Sequence, residues 1–269
     1  MQPVDKFNEN GYVILKEVFD ETTLEQIRNL VSQIDDYANL QLEDPFSPYY
    51  LKHRPDQGVL FDLFQRHPEF QRLAKNDVIL DFLEQVLGPN ITLYENSLVY
   101  KPKGKVNEVP WHQDFINRAH EQTKLIVWMA LDEVVPENGA MKVIPGSHKK
   151  GFLPFYQVKG ETHHTRVRPE CIEEEKAVFV PMNAGDVLVF HQCLLHSSER
   201  VEGDKPRRAY RVSYQGFEQI YTPRATPIVM RGGKPGILRQ KFPRKERDLP
   251  KKSFFQRACH ALGHKLLNI

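Results

Sequence analysis

Residues 185–198 read GDVLVFHQCLLHSS, and this stretch carries both a fold signal and a candidate chemical group. It begins at a turn-forming Gly-Asp pair, continues as a β-rich run, and ends in small residues after a second histidine. Five further runs share the β-rich composition and the bounding Pro, Gly, Asn or Asp residues; they are 91–102, 125–134, 141–147, 177–182 and 207–217. Short strands at this spacing predict an antiparallel sandwich or jelly roll.

Two helical segments precede these strands. In residues 20–40 the apolar side chains recur on one helix face, and Asp20 or Thr22 can cap the start of the helix. A second segment, 76–88, ends at Gly88, as a helix with a C-cap glycine does. The apolar positions of the first segment are Leu24, Ile27, Val31 and Ile34. We therefore expect a mainly β protein with flanking helices.

The composition is that of an ordinary globular protein. The 269 residues are 40% hydrophobic and 27% charged, and no run of about 18 apolar residues appears. The beginning of the sequence lacks the charged-then-apolar pattern of a secretory leader, so we expect a cytoplasmic protein. The three cysteines, Cys171, Cys193 and Cys259, are odd in number and far apart, which argues against a disulfide framework and against a CxxC zinc site.

The net charge of +2 conceals an asymmetry along the chain. Residues 231–269 hold eleven Lys or Arg and two acids, a net of +9, which leaves −7 on residues 1–230. We predict one folded domain over residues 1–230, which would carry the function, and a basic C-terminal extension over residues 231–269. The extension has an apolar stripe at helical spacing that can dock on the barrel, meet a partner or lie on an anionic membrane surface. No base-reading motif accompanies it, so nucleic acid binding is not expected, and the sequence leaves the oligomeric state open.

Residues 109–120, VPWHQDFINRAH, contain a candidate metal site. In a β-strand, His112 and Asp114 point to the same face, so an imidazole and a carboxylate converge. One more histidine would complete a 2-His-1-carboxylate triad, which leaves three positions open on Fe(II). His191 and His196 are both candidates, but they lie five residues apart and face opposite sides of a regular strand, so only one can be the ligand.

Together, four motifs resemble the phytanoyl-CoA dioxygenase (PhyH) family of Fe(II)- and 2-oxoglutarate-dependent oxygenases, over roughly residues 5–220. They are FNENGYVILKEVF at 7–19, WHQD at 111–114, VWMALDEVVPENGAMKVIPGSHK at 127–149 and HSSERVEGDKPRRAYRVSY at 196–214. The resemblance implies a double-stranded β-helix, the cupin-like form of the jelly roll. It also implies that the distal histidine is His196, since small residues follow it, and that His191 is not a ligand.

The family pattern assigns a role to further residues. It implies a metal site of His112, Asp114 and His196 that takes Fe(II), with 2-oxoglutarate and O2 as cosubstrates and succinate and CO2 as products. Arg207 matches the arginine that pairs with the distal carboxylate of 2-oxoglutarate, with Arg211 on the same strand face as its rival. The other positions that match cosubstrate contacts are Ser198, Trp128 and Lys101.

The carboxylate at Asp114 bears on the type of reaction. Related halogenases have a small residue at this position, so Asp114 favours hydroxylation, with desaturation, epoxidation and ring formation left open. The substrate is expected to be a small or lipid-like metabolite. Basic and aromatic residues near the predicted opening favour an anion; they are Tyr49, Tyr50, Lys52, Arg118 and His120.

Two other functions compete with the oxygenase. A metal-binding cupin-type barrel without oxygenase activity would use the same clustered His and acid ligands, but it would not need Arg207. A catalytically silent scaffold would use the basic extension to bind an acidic partner. Formation of succinate from 2-oxoglutarate separates the first function from these two.

Overall fold

The helices and strands follow the order that the sequence predicts. The computed structural model describes residues 1–42, 53–54, 59–101, 108–159, 161, 163, 165–201, 205, 207–216 and 228–232. These residues form the α-helices α1 (Pro3–Asn10), α2 (Glu21–Leu42), α3 (Pro68–Ala74) and α4 (Asp77–Leu87). The first seven strands are β1 (Tyr12–Leu15), β2 (His53–Arg54), β3 (Val59–Phe61), β4 (Ile91–Tyr100), β5 (Val109–His112), β6 (Lys124–Ala130) and β7 (Met141–Val143). The remaining strands are β8 (Phe155–Gln157), β9 (Thr165–Val167), β10 (Val178–Val180), β11 (Val187–His191), β12 (His196–Ser198), β13 (Arg208–Gly216) and β14 (Ile228–Arg231).

Two antiparallel sheets form the barrel. The larger sheet has the order β1-β11-β6-β13-β4-β3-β2, with β14 paired to β4 as well, and the smaller sheet has the order β10-β7-β12-β5. Strands that are distant in sequence are neighbours in both sheets, as in a jelly roll. All six β-rich runs form strands here, so the mainly β fold is confirmed. The hairpin β8-β9 is separate from both sheets.

The alternation of side chains along β6 divides the apolar core into two layers. Leu125, Val127 and Met129 lie in the cluster that packs against the helices. Ile126, Trp128 and Ala130 belong to the cluster inside the barrel. Successive residues of a strand face opposite sides, so one continuous apolar run serves both layers. The inner face of the larger sheet therefore lies opposite the strands that carry His112 and His196.

The flanking helices pack on the outer face of the larger sheet. Leu24, Ile27, Val31 and Ile34 of α2 are all buried, which confirms the predicted apolar face. Asp20, rather than Thr22, caps this helix, because its carboxylate accepts a hydrogen bond from the backbone N–H of Thr23 at 2.8 Å. Helix α4 ends at Gly88, whose N–H donates to the carbonyl of Glu84, as the sequence predicts.

The end of the chain is described only up to residue 232. Arg231, the last residue of β14, pairs with Asp77, Asp81 and Glu84 of α4. The domain boundary at residue 230 stays a prediction. The apolar stripe of the basic extension lies outside the described residues and stays a prediction. None of the helices in the described part of the chain has both the length and the apolar character needed to cross a membrane.

Candidate active site

Two neighbouring strands of the smaller sheet bring the candidate metal ligands together. His112 ends β5 and His196 begins β12, and the two residues are Cα partners in this antiparallel pair. Their ring centroids are 4.1 Å apart. One ligand atom each from His112, His196 and Asp114 lie within 4.8 Å of one another. This arrangement can hold one metal ion.

Main-chain carbonyls fix both imidazole rings in the same way. The Nδ1 of His112 lies 2.8 Å from the carbonyl oxygen of Pro110, and the Nδ1 of His196 lies 2.9 Å from that of Leu194. Each carbonyl needs a donor, so each Nδ1 carries the proton. The lone pair of each Nε2 is then available to a metal, and the acceptor two residues earlier sets the orientation of the ring.

Asp114 lies beyond the end of β5, where the sequence predicts a continuing strand. Phe115 has a φ of 58°, in the left-handed region, so the backbone turns directly after the carboxylate. Gln113 anchors this turn. Its side-chain amide donates to the carbonyls of Gly151 and Cys193, and its oxygen accepts from the N–H of Leu153. Gln113 therefore faces away from Asp114, as predicted, and holds the segment in place.

Burial and charge set the protonation state of the triad. Burial, together with the charge of His196, lowers the pKa of His112 to about 4. Burial also lowers the pKa of His196. For Asp114, burial acts to raise the pKa, but the charges of Arg211, His196 and His112 outweigh it and lower the pKa to about 2. Two neutral imidazoles and one ionised carboxylate are the forms in which these side chains bind metals.

Arg211 joins Asp114 to a second carboxylate. Its Nη2 lies 3.0 Å from Asp114 Oδ2, and its Nη1 lies 3.1 Å from Glu95 Oε1. Burial by itself would lower the pKa of Arg211, yet the charges of Asp114 and Glu95 raise it above its ordinary value. Arg211 therefore lies beside the candidate metal ligands and has two acidic partners, while its role as the rival of Arg207 stays a prediction.

Arg207 lies in a different environment, just before β13. It is 8% exposed, its Nε donates to the carbonyl of Gly139 at 3.2 Å, and its guanidinium carbon lies 5.1 Å from the centroid of the Trp128 ring. No acidic side chain in the described ranges forms an ion pair with it, and burial lowers its pKa to about 10. A buried arginine fork of this kind can bind a carboxylate ligand in bidentate fashion.

Lys101 completes a basic pocket with Arg207, Trp128 and Gly139. Its Nζ donates to the carbonyl of Glu199 at 2.7 Å, and burial together with the charge of Arg207 lowers its pKa to about 7. Gly139 has a φ of +84°, and a Cβ there would lie 2.6 Å from a side-chain carbon of Lys101. Glycine at 139 therefore lets the lysine chain cross the turn that also supports Arg207.

Two further residues from the sequence analysis, Ser198 and His191, lie on the strands β12 and β11. Ser198 is buried on β12, two residues after His196. His191 accepts a hydrogen bond from the N–H of Cys193, and its ring lies 5.5 Å from that of His148. A loop separates His191 on β11 from His196 on β12, so the pair does not occupy one regular strand.

The predicted substrate residues are only partly described. Arg118 donates to the hydroxyl of Tyr94 and lies over its ring, and His120 is exposed. Tyr49, Tyr50 and Lys52 lie outside the described residues. A substrate role for all five stays a prediction.

A buried polar cluster beside the triad has no clear sequence signal. Lys124 is fully buried at the start of β6; its Nζ lies 2.9 Å from Glu121 Oε2 and 4.4 Å from the centroid of the Tyr94 ring. The hydroxyl of Tyr94 donates to Glu121 as well. The Phe115 ring lies between this cluster and Arg211, 5.1 Å from Tyr94 and 5.5 Å from the Arg211 guanidinium. Lysine before an apolar strand normally marks an exposed strand end, which is why sequence reasoning missed it.

Comparison with known proteins connects this geometry to a family. Human phytanoyl-CoA dioxygenase, a peroxisomal protein, is 27% identical over 206 residues, which are 71% of this chain and 61% of that protein. The chain thus aligns with about three fifths of the human protein. A methylphosphonate hydroxylase of Gimesia maris is 24% identical over 225 residues, which are 80% of each protein.

A solved structure and a family model agree with these relatives. The non-heme alpha-ketoglutarate-dependent carbocyclase SnoK of nogalamycin biosynthesis superposes with a TM-score of 0.61 at 25% identity, covering 80% of this chain and 83% of SnoK. This likeness supports the double-stranded β-helix expected from the sequence. The phytanoyl-CoA dioxygenase (PhyH) model matches residues 7–209, most of the chain. The chain belongs to the phytanoyl-CoA dioxygenase family.

Proposed function

We propose that the chain is an Fe(II)- and 2-oxoglutarate-dependent dioxygenase. The observation that carries the proposal is a triad of two histidines and one carboxylate, in which His196 is buried and the other two residues are half-buried. It lies in the same barrel as a buried arginine that no acid of the described residues neutralises. A cupin-type barrel that only binds metal needs the triad but not the arginine. A dioxygenase with a dicarboxylate cosubstrate needs both.

The donor set fits Fe(II). Two neutral imidazole Nε2 atoms and one carboxylate are the facial ligand set of non-heme Fe(II) oxygenases. His112, His196 and Asp114 would hold the metal, with their outer contacts already formed by Pro110, Leu194 and Arg211.

The protein residues bind, orient and exclude water. When bound, iron, 2-oxoglutarate and O2 supply oxidation of a substrate C–H bond coupled to formation of succinate and CO2. Arg207 binds the distal carboxylate of the cosubstrate, and the Trp128 ring, 5.1 Å from the guanidinium carbon, supports the guanidinium by a cation–π contact. Trp128 and Arg211 are Cα partners on β6 and β13, so one tryptophan links the basic pocket to the metal centre. The apolar side chains of Leu188 and Phe190 pack in the same inner layer and exclude water from it.

We propose hydroxylation of a C–H bond in a small or lipid-like metabolite with an anionic group. Support comes from relatives named for a coenzyme A thioester and for methylphosphonate, which both carry phosphorus-based anions. Cyclisation stays open, because SnoK is a carbocyclase that uses the same cosubstrate.

Succinate formation tests the reaction class. Purified protein with Fe(II), 2-oxoglutarate and O2 should release succinate slowly without substrate, and Asp114→Ala should abolish this release, because the variant lacks the anionic metal ligand. Glu133→Ala is the matched control, since it removes an exposed carboxylate that pairs with Lys205 and that has no contact with the triad. If the wild-type protein binds 2-oxoglutarate and metal but forms no succinate, the proposal is wrong.

A substrate panel tests the finer proposal. Coenzyme A thioesters, alkylphosphonates and neutral apolar compounds should be compared for acceleration of succinate release. Incorporation of one ¹⁸O atom from ¹⁸O2 into the product identifies hydroxylation. Acceleration by neutral compounds alone would exclude the anionic class, and a product without ¹⁸O would exclude hydroxylation.

A further inference from the structure

Arg211 is the contact through which the protein holds Asp114. Asp114 lies outside β5, so the strand ladder does not fix its backbone, and the next residue turns into the left-handed region. The carboxylate is half-buried, and its buried oxygen, Oδ2, makes no hydrogen bond of good geometry in the described part of the chain; its contact there is the 3.0 Å ion pair with Arg211. The orientation of this carboxylate therefore depends on the guanidinium.

Two contacts besides the one with Asp114 hold the Arg211 guanidinium in place. Glu95 holds the other side of the fork at 3.1 Å, and Phe115 lies below the guanidinium at 5.5 Å. Glu95 sits at a β-bulge of β4, where the register shifts so that Ser213 pairs with Glu95 and Tyr214 pairs with Leu93. Before the shift the ladder is regular and Arg211 pairs with Ser97, so Glu95 and Arg211 lie on the same face of the sheet as diagonal neighbours. The guanidinium is thus held before any metal arrives.

The two oxygens of Asp114 have different roles as a result. Arg211 contacts Oδ2 at 3.0 Å, so Oδ1 is the oxygen that the carboxylate can offer to a metal held with His112 and His196 without losing this ion pair. An octahedral metal with three protein donors keeps three positions open. If Asp114 turned and bound through both oxygens, it would leave two, and a chelating 2-oxo acid would fill both of them. No position would then remain for O2.

We propose that Arg211 is a positioning residue that keeps Asp114 monodentate and so preserves the third open position on the metal. This inference rests on the proposed function, because it requires a metal at the triad. Arg211 acts through Asp114 and does not bind the cosubstrate, which distinguishes it from Arg207. The second carboxylate, Glu95, keeps the guanidinium from following Asp114 toward the metal.

Metal binding and carboxylate geometry test the inference without turnover. The apo forms of the wild type, Arg211→Gln and Arg211→Lys are titrated anaerobically with Co(II), and infrared difference spectra with ¹³C-labelled aspartate report the splitting of the carboxylate stretches. Arg211→Gln should lose about 10- to 100-fold in metal affinity, as is typical when a contact that orients a ligand is removed. In this variant the separation between the asymmetric and symmetric carboxylate stretches should narrow to that of a bidentate carboxylate. Arg211→Lys keeps the positive charge but loses the two-pronged guanidinium. Its metal affinity and carboxylate splitting should lie between those of the wild type and Arg211→Gln.

Arg208→Lys is the matched control. Arg208 lies on the same strand and forms a bidentate pair with Asp132, away from the triad. Its variant should bind Co(II) as the wild type does, with a monodentate carboxylate. Circular dichroism establishes that each variant is folded, and if Arg211→Gln does not fold, the comparison is made with Arg211→Lys.

The outcomes separate the two proposals. If the wild type binds no metal at the triad, the proposed function fails. If the wild type binds metal and a folded Arg211 variant shows unchanged affinity and an unchanged monodentate signature, the inference about Arg211 fails while the proposed function stands. Weaker binding in Arg208→Lys equal to that in Arg211→Lys would also overturn the inference, because the effect would then be general to β13.

Discussion

Two arginines at the same edge of the barrel interior differ in what surrounds them. Arg211 touches two carboxylates, Asp114 and Glu95, while Arg207 touches an aromatic ring and a backbone carbonyl but no acid among the described residues. The pKa of Arg211 is raised above its ordinary value by its partners despite burial. Burial lowers the pKa of Arg207 to about 10.

The difference indicates which arginine is part of the framework and which receives a ligand. A buried charge without a counterion is costly, and the cost falls when an oppositely charged group arrives. Arg211 already has its counterions, so a second anion would compete with them. Arg207 has no counterion among the described residues, so binding of a carboxylate there removes a penalty that the folded protein otherwise carries.

Removal of Arg207 should give the largest effect. Arg207→Ala should raise the 2-oxoglutarate concentration needed for half-maximal binding on the order of 100-fold, because two charge-assisted hydrogen bonds are lost. Metal affinity should stay within twofold of the wild type, since the triad is intact. Anaerobic titration of the apo protein with Co(II) measures the metal affinity, and titration of the Co(II)-loaded protein with 2-oxoglutarate measures the cosubstrate affinity. Arg207→Lys is expected to recover part of the cosubstrate affinity. Equal cosubstrate affinity in Arg207→Ala and wild type would transfer the role to another cation of the pocket, such as Lys101.

Trp128 should contribute less, because it supports the guanidinium and leaves its charge in place. Trp128→Leu removes the stacking surface under Arg207, and a desolvated cation–π contact of about 1 to 2 kcal/mol corresponds to a loss of about tenfold in cosubstrate affinity. Trp111→Leu is the matched control. Trp111 packs in a separate cluster with Lys142 5.9 Å above its ring, so cosubstrate affinity should not change. Equal losses in both variants would show that the effect is general destabilisation.

His191 adds a third case to the comparison, because it is a half-buried base whose pKa is lowered without a ligand role. Burial, with the charge of His148, lowers the pKa of His191 to about 4. The unfolded chain has an ordinary histidine pKa near 6.5, so between the two values the unfolded state binds the proton and acidification favours unfolding. Between pH 7.5 and 5.5, this group should cost the fold about 1 kcal/mol.

Urea unfolding of His191→Asn at the two pH values measures that contribution. Asparagine retains an acceptor for the N–H of Cys193 but takes up no proton. The variant should therefore lose about 1 kcal/mol less stability than the wild type on acidification. Identical losses in the two proteins would assign the pH dependence to other groups.

The mainly β fold was accessible from the sequence because two of the helices and most strands of the two sheets have a local signal. Six β-rich runs bounded by turn residues correspond to strands, and the apolar face of α2 and the glycine after α4 lie where the periodicity places them. The convergence of His112 and Asp114 was expected for a strand, but β5 ends at His112. The left-handed backbone at Phe115 has no signature in residue type, because phenylalanine rarely adopts it.

The contacts around the triad could not be read from the sequence. Glu95 and Arg211 are 116 positions apart, and neither residue shows in its local context that it meets the other. Charged residues in half-exposed strands normally face solvent, so Lys124 and Glu121 also gave no sign of burial. Contacts between residues that are distant in sequence, and the burial of paired charges, are decided by tertiary packing, which local patterns do not encode.

The acceptors that hold the two imidazoles belong to the main chain, at Pro110 and Leu194. Every amino acid carries a backbone carbonyl, so replacement of either side chain leaves the acceptor in place as long as the strand keeps its path. Side-chain replacement at these two positions should therefore leave the orientation of the two imidazole ligands unchanged. Genetic drift can change residues 110 and 194 with little effect on the imidazole geometry, whereas a change at residue 211 acts on the third ligand directly. The triad thus combines two mutationally robust ligands with one fragile ligand.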